Sequence, residues 1–225
     1  MIRSIIFLFC ISFFSCHKKI IPAELESKKV ISIYQVYVKG DDPLKKCNID
    51  FASIENLESI TGSYYNAFFG FVKNKTDIDK ISEALIKNNK NAGEVRFLWS
   101  SKPIIYDRSK EKAYVLFAVK PYGSHGLKEL NQSLVSVKYF VHHETFEPGI
   151  QLNYDLKGKA ILEALVNDSP LTNKSVAYVI EGAVWDIRKL HVGYHETLIF
   201  MRFENLKEAE LKDAELNKKL HFNQG

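Results

Sequence analysis

From residue 29 onward, apolar residues gather into short runs separated by polar and turn-forming breaks. Lys29 to Val38 (KVISIYQVYV) is rich in β-branched and aromatic residues, which suit a pleated surface, and predicts a strand ended by Gly40-Asp41-Asp42-Pro43. Leu44 to Gly62 has no clear period, and Tyr64 to Val72 predicts the next strand. Thr76 to Asn88 predicts a helix: Thr76 can cap it, Asp79 stands three residues on, and Ile78, Ile81, Leu85 and Ile86 fall on one face. Glu94 to Trp99 and Lys112 to Val119 predict strands, with a short one at Ile104 to Tyr106 and a turn over Asp107 to Lys112.

The turn-rich stretch Pro121 to Gly126 divides the chain into an N-terminal part, 29–121, and a C-terminal part, 122–225. In the second part Val135 to Val141 and Gly149 to Tyr154 predict strands, and Asp155 is a suitable N-cap for a helix reaching Asn167. Leu156, Ala160, Ile161, Ala164 and Leu165 are expected to form its buried stripe. Val176 to Ile180 and Ala183 to Leu190, joined at Glu181-Gly182, predict a hairpin. A strand over Thr197 to Phe203 and a charged helix opened by Asn205 and Glu208 complete the chain. The order predicts an α+β fold: a mostly antiparallel sheet with helices packed on one face, in a two-layer, ferredoxin-like arrangement.

The N-terminus has a different pattern. Arg3 precedes a run of about ten mostly apolar residues, Ile5 to Phe14, then Ser15-Cys16. That run is shorter than the roughly 20 residues needed to span a bilayer. A basic start, a short apolar stretch and a small residue before the cut describe an export signal over 1–15, leaving a tether over 16–28. The segment resembles the lipoprotein signal class, with Phe13 and Phe14 where that class usually has Leu and a small residue. The resemblance implies acylation of Cys16 and attachment to the cell envelope, at an outer membrane facing the periplasm. An ordinary cleaved signal and an uncleaved anchor are the alternatives.

Composition narrows the functional classes. Hydrophobic and charged fractions of 46% and 26% are those of a globular protein, and a net charge of +4 over 225 residues gives no basis for nucleic-acid binding. Of the three cysteines, Cys10 lies in the apolar run and Cys16 ends it, so Cys47 has no disulfide partner in the processed chain and is expected to be exposed or loosely packed. His142-His143-Glu144 and His191 with His195-Glu196 are the densest polar clusters, and His143, His191 and His195 are the weak candidates for a functional role. Their spacing matches no zinc pattern, so no metal, cofactor or catalytic residue is expected.

A further resemblance runs through the second half. The segment Gly149-Ile150-Gln151-Leu152-Asn153-Tyr154-Asp155-Leu156-Lys157-Gly158-Lys159-Ala160, then Leu171-Thr172-Asn173, then Val176 to Gly182, then Phe203-Glu204-Asn205-Leu206-Lys207-Glu208-Ala209, is similar in order to the head of the first periplasmic domain of SecDF. Ala92 to Phe97 resembles the strand that opens that head. Glu181 stands where the family usually has Asp, and Asp186-Ile187-Arg188 where a Ser-Ala-Pro-like stretch follows. The resemblance implies a stand-alone head on a lipid tether, handling polypeptide or an envelope protein partner without catalysis. A structural subunit of a membrane complex and a hydrolase with a non-obvious site are the other readings.

Overall fold

The computed structural model describes residues 30–58, 67–105, 111–121, 126–141, 146–167, 175–189, 197–200, 203 and 205–222. The strands there are β1 (Ile31–Gln35), β2 (Phe68–Val72), β3 (Arg96–Trp99), β4 (Ile104–Ile105), β5 (Lys112–Val119), β6 (Leu134–Val141), β7 (Pro148–Tyr154), β8 (Ser175–Ile180), β9 (Ala183–Lys189) and β10 (Thr197–Phe200). The helices are α1 (Asp42–Lys45), α2 (Asp77–Asn88), α3 (Leu127–Gln132), α4 (Leu156–Asn167) and α5 (Leu206–Phe222), with a 3-10 turn at Phe51–Ser53. The strands form three antiparallel sheets: β1-β8-β9, β10-β7-β6, and β2-β5-β3 with β4 paired to the start of β5. The α+β, mostly antiparallel class is as the pattern predicts. None of the described helices is long and apolar enough to cross a membrane.

The layering exceeds two layers, because three apolar cores form. The first joins β1 and β8 to β6, β7 and helices α3, α4 and α5 through residues such as Ile33, Tyr178, Leu152, Leu130, Leu162 and Leu216. The second lies between the sheets β1-β8-β9 and β2-β5-β3, with Tyr34, Val36, Phe117, Val119, Val179 and Val184. The third packs the other face of β5 against α2, through Leu116, Val72, Ile81, Leu85 and Val95. Strand β1 is buried on both faces, Ile31 and Ile33 in the first core and Tyr34 in the second, and even its polar residues Ser32 and Gln35 are buried. It pairs with β8, so the first strand of the N-terminal part lies in a sheet of the C-terminal part, across the 121/122 division.

Several local expectations change. Asp155 and Asn205 cap as expected, accepting from the Gly158 N–H at 2.7 Å and the Glu208 N–H at 2.9 Å. Thr76 makes no side-chain cap bond. The buried stripe of α4 is Gly158, Leu162 and Leu165, with Ile161 half-buried beside it, whereas Ala160 and Ala164 are exposed and Leu156 is 86% exposed. The stripe is rotated because α3, which the sequence pattern did not show, packs against α4. Cys47 is fully buried in the third core, its Sγ 3.6 Å from the Pro43 carbonyl, where a small apolar thiol fits as well as any hydrophobe. Tyr64 to Asn66, at the start of the expected second strand, lies outside the described residues.

Candidate binding cleft

The two facing sheets meet at two places. Val36 bridges Val119, and Ser100 bridges Val184 in parallel, with the Ser101 N–H donating to the Val184 carbonyl at 2.7 Å. Beyond the second join the chain turns through Lys102 and Pro103 into β4 and leaves β9. The second core is thereby left open along one seam, and a cleft of about 450 Å³ lies there. That volume falls in the range of ligand sites, about 300–1,000 Å³.

A β-bulge shapes one wall. In the β8–β9 register Tyr178 opposes Asp186 and Val179 opposes Val184, so Trp185 has no partner across the ladder. Such an extra residue re-aims its side chain. The Trp185 indole packs on Phe203, ring centroids 5.9 Å apart, and borders the cleft with it. Phe68, Phe117, Ile104 and Ile187 supply further apolar lining. The ammonium groups of Lys102 and Lys212 stand 5.7 Å and 5.1 Å from the indole centroid, within cation–π range.

The charged groups around the cleft are matched. Lys102 pairs with Glu208, Arg188 with Asp186 at 2.6 Å, and Lys212 with Glu215 at 2.9 Å. The Ser100 hydroxyl accepts from the Val115 N–H at 3.0 Å, which ties it to the ladder. The lining therefore suits an uncharged, apolar guest, since a charged one would lose its hydration and meet no unmatched ion among the described residues.

A second cavity of about 260 Å³ lies between α2 and β3, bordered by Leu85, Ile86, Val95 and Phe97. It is smaller, and its polar neighbours are occupied: Asn89 donates to the Val95 carbonyl and Ser82 accepts from the Trp99 indole. Burial, with Glu94 nearby, raises the Cys47 thiol and pushes the Tyr37 phenol up to about 12, so both stay protonated at neutral pH.

The sequence-based candidates lie elsewhere. Cys16, His143, His191 and His195 are all outside the described residues, as are His142, Glu144 and Glu196. Among the described residues no group of three or more His, Cys, Asp or Glu side chains is placed to hold a metal. Trp185 was not singled out in the sequence, because a tryptophan in a predicted strand reads as core; only the register across β8 shows it to be the bulged residue.

No protein-family model and no curated protein matches the chain. Among solved structures, one described as a membrane component SecDF that enhances protein export superposes with a TM-score of 0.35 at 13% identity, over 83% of this chain and 92% of that one. SecDF in its super-membrane-facing form superposes at 0.34 with 11% identity, over 83% of this chain and 28% of that one. SecDF structures are thus among those similar to this chain, at low identity and low superposition.

Proposed function

We propose that this protein is a lipid-anchored protein of the cell envelope that binds apolar segments of other polypeptides, without catalysis, in the cleft beside Trp185. The observation that carries this reading is the cleft itself: aromatic and aliphatic lining, matched ions at its rim, and a position at the unclosed seam between two sheets. A phenylalanine, leucine or similar side chain is the guest whose burial such a lining favours, at about 25 cal/mol per Å² of apolar surface removed from water. The anchor in this reading is Cys16, at the end of the short apolar run.

Trp185 is also the reporter. End-capped peptides with a central phenylalanine should shift its fluorescence in the full-length protein, with dissociation constants below millimolar, about −4 kcal/mol. Trp185→Ala, read by isothermal titration calorimetry because it removes the reporter, should weaken binding about tenfold or more, whereas Trp99→Phe, in the third core, should leave it unchanged. No binding up to roughly millimolar peptide would overturn the reading. Turnover of an ester, peptide or glycoside, lost on replacing His143 or His191, would favour a hydrolase instead. Replacing Cys16 by Ala should abolish labelled palmitate incorporation and leave the protein soluble or unprocessed.

A further inference from the structure

We propose that the guest enters this cleft as an extended backbone, adding to the edge of β9 and displacing the Asp186 carboxylate from the Ile187 amide. The proposal rests on the reading that the cleft takes polypeptide, and it specifies how.

The lining gives the first argument. Val184, Trp185, Asp186 and Ile187 are consecutive, and all four border the cleft. Successive side chains of a strand point to opposite faces, and past the bulge at Trp185 that alternation holds for Asp186 and Ile187, so a cavity on one face would meet only one of those two. The register agrees: Asp186 opposes Tyr178, which belongs to the first core, and Ile187 opposes Ala177, which belongs to the second. A cleft that touches both sets runs along the edge of the strand.

The second argument is where strand pairing stops. β9 begins to pair with Ser100 and Ser101, and among the described residues this pairing goes no further than the Ser101–Val184 bond. Pro103, on the far side, has no N–H to offer.

The third is what occupies the edge. The Ile187 N–H donates to Oδ1 of Asp186 at 2.8 Å, while Oδ2 of Asp186 is held by Nε of Arg188 at 2.6 Å. A side-chain carboxylate thus stands where a neighbouring strand would place a carbonyl. A guest carbonyl can replace it, and Asp186 remains paired with Arg188, so no charge is stranded. Charge complementarity selects the guest. The rim cations Lys102, Arg188 and Lys212 each have a carboxylate partner, so the matching segment is uncharged through its paired stretch. Edge addition of this kind takes its affinity from main-chain bonds and its selectivity from alternate side chains.

The test uses the full-length protein and an uncharged, end-capped octapeptide with a central phenylalanine, read by Trp185 fluorescence. Backbone N-methylation is moved along the peptide one residue at a time. Edge pairing predicts a period of two: methylation at alternate positions weakens binding tenfold or more, and at the intervening ones by less than about threefold. Asp186→Ala removes the competing acceptor and should tighten binding about three- to tenfold, with Asp186→Asn, which keeps an acceptor, falling between it and the parent. Binding that responds equally to methylation at every position, or that Asp186→Ala weakens, overturns edge addition and leaves the side-chain cleft standing. Absence of any binding overturns the underlying reading and this one with it.

Discussion

Glycine and aspartate positions show how narrowly single residues are constrained here. Gly158 lies inside α4, where alanine would ordinarily gain about 1 kcal/mol in helix propensity. A Cβ there would stand 2.6 Å from Cβ of Ser133 and 2.8 Å from Cβ of Tyr154, both nearly inextensible parts of buried residues. Overpacking of that kind costs about 1–3 kcal/mol. Gly158→Ala should therefore lower the melting temperature, by roughly 2–4 °C per kcal/mol, and an unchanged or higher value in calorimetry would show that α4 can move away. Asp213 in α5 is the other case. Burial raises its carboxyl pKa, against the opposing pull of the Tyr139 N–H, Asn217 and Lys138. A carboxyl raised in the folded state contributes stability below its unfolded pKa of about 3.9 and loses it as pH rises through the folded value. Asp213→Asn keeps an acceptor for Tyr139 and never ionises. It should melt higher than the parent at pH 7, with the difference closing below about pH 4. A difference that persists in acid would point to a cause other than ionisation.

At the scale of elements, two helices seal strands by the same chemistry. Asn131 of α3 accepts from the Ile33 N–H at 2.7 Å and donates to the Ile33 carbonyl at 2.9 Å. Asn217 of α5 does the same at Val137, with both bonds at 3.0 Å. Each carboxamide imitates a neighbouring strand, and along β6 the Asp213 carboxylate continues the cover at Tyr139. A strand edge covered by a helix no longer templates other chains. The edge of β6 is therefore a poor place for a guest, in contrast with that of β9. Asn131→Leu would keep the volume and strand two buried backbone groups of Ile33, at about 1–3 kcal/mol each. Urea denaturation should show a loss of roughly 2–6 kcal/mol, and a loss below about 0.5 kcal/mol, within the range of ordinary surface changes, would mean that water reaches Ile33.

For the whole molecule, the pairing of β1 with β8 decides how much of the chain must be present to fold. Ile31 and Ile33 are nearly inaccessible and belong to the core built otherwise from β6, β7, β8 and the three later helices. A fragment of residues 122–225 would lose them and expose the edge of β8 that β1 covers. It should give a poorly dispersed amide NMR spectrum and bind the dye ANS, as loosely packed states do. Adding residues 29–40 as a peptide should restore dispersion in part. A well-dispersed spectrum from the fragment alone would show that the 121/122 division separates independent units.

Local signals in the sequence were sufficient for most elements. The β-branched runs at Lys112 to Val119 and Val176 to Ile180, the period of Ile81 and Leu85, and the caps at Asp155 and Asn205 all act within a few residues of themselves, so the chain carries them without reference to the fold. The Glu181-Gly182 turn is of the same kind: both residues adopt positive φ, 50° and 82°, the geometry that closes a two-residue hairpin. Tertiary structure decided the rest. Helix α3 is six residues long and is held by packing, so no period could announce it. The rotation of the α4 stripe depends on what α3 covers, and the burial of Cys47 on the meeting of Tyr37, Val72 and Val95 from distant segments. The cleft depends on two sheets that join at Val36–Val119 and Ser100–Val184 and part beyond them. Those contacts bring together residues separated by scores of positions, and hydrophobic pattern along a chain specifies which face a residue presents, never which distant face it will meet.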